Sequence, residues 1–109
     1  MPKIYLSPST QDQNPYVDQS GSEEYWMNLL ADELEPYLYA NTIAFVRNTP
    51  EMTAASSIAQ AERIGGFDFY LALHSNASGE GQAGKNRGII VFYYPTSEAG
   101  KRAAGLFAA

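Results

Sequence analysis

Apolar and polar positions follow two different spacings along the chain, and the changes of spacing mark out its elements. Residues 3–6 (KIYL) are β-rich, and Ser7-Pro8-Ser9 predicts their end, because proline cannot continue a central ladder. Residues 10–21 (TQDQNPYVDQSG) are a polar loop whose length favours an ordered binding loop over a plain connection. Met27, Leu30 or Ala31, Leu34 and Leu38 then recur at helical spacing and predict an amphipathic helix over residues 23–39. Ser20 or Ser22 can cap its start, Ser20 with Glu23 matching a capping box. Pro36 should bend or loosen the last turn, and Asn41 suits the end. Residues 42–46 (TIAFV) predict a second strand, which makes a β-α-β unit with a right-handed crossover.

A second helix is expected to begin at Thr49-Pro50. Its apolar face would carry Met52, Ala55 or Ser56, Ala59 and Arg63 or Ile64, and it would end at Gly65-Gly66. The small residues suggest close packing on a sheet. Residues 67–73 (FDFYLAL) are apolar except for Asp68, which reads as a strand buried on both faces. His74, the chain's one histidine, follows at once, and Ser75, Asn76 and Ser78 are turn formers. After a loop over 78–87 containing Gly79, Gly81 and Gly84, residues 88–94 (GIIVFYY) predict a fourth strand and residues 97–109 a third helix. The sequence stops inside that helix without a cap, which predicts a C-terminally truncated domain. The order β-α-β-α-β-β-α predicts an α/β fold: a single domain over 1–109 with a mostly parallel or mixed sheet flanked by helices.

Length and composition narrow the function. The 109 residues suffice for one small core, and 45% hydrophobic with 13% aromatic content marks a folding sequence. A net charge of −5 leaves no basic surface for phosphates, so no nucleic-acid partner is expected. No run approaches the roughly 20 apolar residues of a membrane helix, no signal peptide opens the chain, and no membrane partner is expected. With no cysteine, disulfides and thiolate metal sites are excluded. The glycines of 78–87 are not a dinucleotide fingerprint, because no helix opens on them.

His74 lies where a strand leaves the core, the end of an α/β sheet at which ligands bind. Glu23 or Glu24, at the start of the first helix, lies on the same carboxyl side of its strand. The two can meet above the sheet and supply the imidazole and carboxylate donors of a metal hydrolase. A carboxylate there equally serves the helix dipole, and a histidine there equally bonds its own turn.

KIYLSPSTQ at the first strand, SEEYWMNLLADEL at the first helix, DFYLALHSNA and GIIVFYY together resemble the zinc-dependent N-acetylmuramoyl-L-alanine amidases of the amidase 3 type. The likeness covers nearly the whole chain in consistent order. It implies a peptidoglycan hydrolase with a zinc cofactor, cleaving the amide between N-acetylmuramic acid and the L-alanine of the stem peptide. A peptidoglycan or muropeptide substrate and action on the bacterial cell wall, as by an endolysin released on lysis, go with it. Carried over position by position, His74 matches the second zinc histidine and Glu24 the zinc carboxylate, with Glu23 as second choice. Gln13 stands in place of the first histidine, and its neutral carbonyl oxygen is a poor zinc donor. Asn76 is assigned to substrate binding, with Tyr16 and residues 78–87 bordering the groove. The family's general-base glutamate would fall beyond Ala109, so no catalytic residue is assigned, and the sheet edge left without its last strand would be open to self-association. The alternative implied by Gln13 is a non-catalytic descendant that binds wall fragments or a protein.

Overall fold

The computed structural model describes residues 2–11, 21–75, 90–93 and 95–108. They fall into two compact units, residues 1–76 and 77–109. The first is an α/β layer built as β1 (Lys3–Pro8), α1 (Glu23–Ala40), β2 (Ala44–Arg47), α2 (Ala54–Ile64) and β3 (Phe69–Leu73). The three strands are parallel in the order β2-β1-β3, as the β-α-β pattern predicts. The second contains α3 (Glu98–Ala108), started by Ser97, whose Oγ accepts the Gly100 N–H at 2.9 Å, and burying Ala104.

β1 runs two residues past its expected end and is the central strand despite Pro8. The ladder explains how. Ser9 N–H donates to the Leu73 carbonyl of β3, while the Leu6 carbonyl accepts from Asn48, next to β2. Even positions of β1 therefore face β2, and β2 has already ended at Arg47 where Pro8 would have needed a partner. No ladder donor is lost, and the Asn48 side-chain amide takes up the Pro8 carbonyl at 3.2 Å.

The two faces of the sheet differ. On one, Ile4 and Leu6 of β1 join Leu71 and Leu73 of β3 and Phe45 of β2 against Ala31, Leu34 and Leu38 of α1. On the other, Tyr5 stacks on Tyr70 with ring centroids 5.1 Å apart and donates to Gln60 of α2 at 2.5 Å. Burial pushes the Tyr5 hydroxyl above the ordinary phenol range. Asn48 donates to Ser57 and Ser7, and Ser7 accepts from Tyr70. Three acceptors crowd the Asn48 amide nitrogen, and its Oδ1 is left without a partner.

This second face corrects the reading of α2. The helix starts at Ala54 behind a Thr53 cap, not at Thr49-Pro50, and turns Ser57 and Gln60 inward while Ala55, Ser56 and Ala59 are exposed. Apolarity picks the wrong stripe because the sheet offers hydroxyls on this side, so hydrogen bonds decide the face. β3 also differs from its expected burial on both faces. As an edge strand it alternates half-buried and exposed positions. The fourth strand is not formed among the described residues. Residues 90–93 join no ladder, with Ile90 and Phe92 exposed, and residues 88, 89 and 94 lie outside the described set.

α1 continues through Pro36 to Ala40, with Ser22 as its cap; Ser20 lies outside the described residues. It ends in a Schellman motif: Ile43 N–H bonds the Leu38 carbonyl at 2.9 Å and Thr42 N–H that of Tyr39 at 3.1 Å. The left-handed position falls on Thr42, with φ +58°, a β-branched residue where glycine is favoured. Thr42→Gly is expected to raise unfolding free energy by about 1 kcal/mol, read as a higher urea midpoint with unchanged slope. A lower midpoint would show that the threonine side chain contributes more than its backbone strain costs.

Candidate functional site

The chain passes from β1 to β2 on one side, then crosses back past β1 to β3 on the other. In a parallel sheet this reversal opens a crevice at the carboxyl ends of the two strands it separates, here β1 and β3. His74 stands at the end of β3, and the segment after β1 leads into the first turn of α1. The structure brings the two together. His74 Nδ1 lies 2.9 Å from Glu23 Oε2, with 42% of the imidazole exposed against 8% of the carboxylate. A carboxylate only accepts, so the proton of this hydrogen bond sits on Nδ1.

Glu23 is the first residue of α1, where the helix dipole favours a negative charge. It is buried because it continues the inward stripe of Ala31 and Leu38, eight and fifteen residues on. Glu24 is turned about 100° away around the helix. It is half-buried, and its backbone carbonyl accepts from Asn28 at 2.7 Å. The structure thus pairs Glu23 with His74, the carboxylate given second place by the resemblance. The signal was present in the sequence: Glu23, Met27 and Ala31 share one stripe, and Glu24 does not.

Glu23 and His74 supply a carboxylate oxygen and an imidazole nitrogen, both ordinary zinc donors. Bonds of about 2.0–2.1 Å at the tetrahedral angle set two donors about 3.3 Å apart, so the 2.9 Å hydrogen bond found here would have to open, with loss of the Nδ1 proton, for both atoms to bind one zinc. The pair therefore offers two corners of a zinc site once that proton has left. Among the described residues no group of three His, Cys, Asp or Glu side chains comes together. Gln13, Tyr16, Asn76 and residues 78–87 lie outside the described residues.

Sequence reasoning overlooked the polar junction beneath the pair. Asn28 Nδ2 donates to the Ser9 and Glu24 carbonyls. Arg47, at the end of β2, donates to the carbonyl and Oδ1 of Asn28, each at 3.0 Å, and pairs with Asp32 at 2.7 Å and Glu35 at 2.5 Å. The one clue was a polar Asn28 next to the apolar stripe of α1. No described helix is long and apolar enough to cross a membrane. Comparison with protein-family models, with curated proteins and with solved structures finds no match to this chain.

Proposed function

We propose that the chain carries part of a zinc-dependent peptidoglycan amidase centre, in which Glu23 and His74 are two of the metal's ligands. The observation that supports this reading is the contact between Glu23 and His74 at the carboxyl end of the sheet, made across 51 residues of sequence. The substrate would be the amide joining N-acetylmuramic acid to the L-alanine of the stem peptide, in the bacterial cell wall. Zinc held by these residues would supply Lewis acidity toward the scissile carbonyl and toward water. The chain's own part is to hold the donors. The buried Glu23 carboxylate, at a helix start, holds the more exposed imidazole by its hydrogen bond.

A second reading is favoured by the lack, among the described residues, of a third His, Cys, Asp or Glu beside the pair. In it the fold is kept for binding wall fragments or a protein, without hydrolysis. One experiment separates the two. The purified chain is assayed for zinc by atomic emission and for new amino groups released from isolated peptidoglycan. One zinc per chain is the expected result. Absence of zinc and of hydrolysis, with retention on peptidoglycan in a pull-down, would transfer the assignment to the binding reading.

A further inference from the structure

The Glu23–His74 contact joins two elements that are far apart in sequence, and a short chain of hydrogen bonds connects them beneath it. The Leu73 carbonyl, immediately before His74, accepts the Ser9 N–H at 2.9 Å. The Ser9 carbonyl accepts from Asn28 Nδ2 at 3.3 Å, and the same nitrogen donates at 2.7 Å to the carbonyl of Glu24, immediately after Glu23. Ser9, just past the end of β1, thus reaches Leu73, next to His74, directly, and Glu24, next to Glu23, through Asn28 Nδ2. Asn28 can play this part in one orientation only, with its amide nitrogen toward the two carbonyls. Arg47 enforces that orientation by donating to Asn28 Oδ1, and its guanidinium is itself fixed by Asp32 and Glu35.

We infer that Asn28 and Arg47 are positioning residues for the site: with Ser9 they set the separation between the Glu23 carboxylate and the His74 imidazole. The inference rests on the reading of that pair as metal ligands. Their hydrogen bonds go to Ser9, Glu24, Asp32, Glu35 and each other, so each acts through the backbone just past β1 and in the first turn of α1. Losses at such outer positions typically lower metal affinity by about 10–100-fold.

The test uses the full chain loaded with Co²⁺, whose visible absorption reports ligand geometry, together with the imidazole ¹⁵N signals of the single histidine at one fixed pH. Asn28→Leu, close in shape but without donor or acceptor, is expected to weaken Co²⁺ binding by about 10-fold or more and to change its visible spectrum. Arg47→Lys, which retains the charge beside Asp32 and Glu35 but loses the fork to Asn28, should do the same. Leu38→Ala, in the core and away from the relay, should lower the urea midpoint yet leave the folded protein's cobalt spectrum and affinity unchanged. Parent-like affinity and spectrum in both Asn28→Leu and Arg47→Lys would overturn the inference, as would an equal loss in Leu38→Ala. If the parent chain takes up no cobalt, the metal reading fails, and the imidazole signals alone decide the relay. A shift in Asn28→Leu absent from Leu38→Ala upholds it, and unchanged signals overturn it.

Discussion

Leu6→Ala should lower the unfolding free energy by about 3 kcal/mol, within the range of about 2–5 kcal/mol for a large-to-small change in a packed core. Leu6 is fully buried on the central strand, between Ala31 and Leu38 of α1 and beside Leu71 of β3. The core on this face is small. Leu6, Ala31 and Leu38 are its buried members, and half-buried Ile4, Leu34, Ile43, Phe45, Leu71 and Leu73 complete it. Few neighbours are available to close a cavity, so most of the lost contact should remain lost. Against a total stability of about 5–15 kcal/mol, the effect should be visible as a large fall in the urea midpoint. Leu29→Ala, at a position 37% exposed, should cost about 1 kcal/mol or less. Equal losses at both positions would mean that the core is not where the burial pattern places it.

The second large effect concerns the metal. Glu23→Ala should reduce zinc affinity by more than the roughly 10–100-fold typical of outer positions, and His74→Ala should do likewise. Glu24→Ala should leave affinity within a few-fold of the parent, because its carboxylate is turned away from the pair around the helix. Competition against a chromophoric chelator gives the three constants on one scale. Loss of zinc in Glu24→Ala with retention in Glu23→Ala would reverse the assignment of the ligand.

The sequence could be read furthest where one spacing dominates. α1, its Asn41 end and the parallel β-α-β order follow from apolar spacing and turn chemistry, and the structure has them. Reading failed where a polar interaction replaces an apolar one. Ser57 and Gln60 face inward on α2 because Asn48 and Tyr5 bond them, and no apolar count detects that. Pro8 reads as a stop when its missing donor is counted alone, but that donor would face the side where β2 has already ended. At the site, the two kinds of residue and their sheet end could be read in advance, since both follow from position beside a strand or helix terminus. The choice between Glu23 and Glu24 required extending the buried stripe backward to a charged residue, which hydrophobic patterning by construction ignores. Asn28 and Arg47 escaped notice because their part depends on a carbonyl of another strand.

The strand order also bears on how the chain reaches this state. β2 and β3 never touch, so all pairing in the sheet passes through β1. Asn48, just after β2, meets Ser7 of β1 across 41 residues, whereas Asp68, just before β3, meets Lys3 across 65. Closing the longer loop costs more chain entropy, and contacts of large separation slow folding. β3 is thus the natural last strand to dock and, as a half-buried edge, the natural first to open. His74 travels with it. The Glu23–His74 pair would then form in the final step of assembly and break in the first step of local opening, so amide exchange in β3 measures how long the site stays intact.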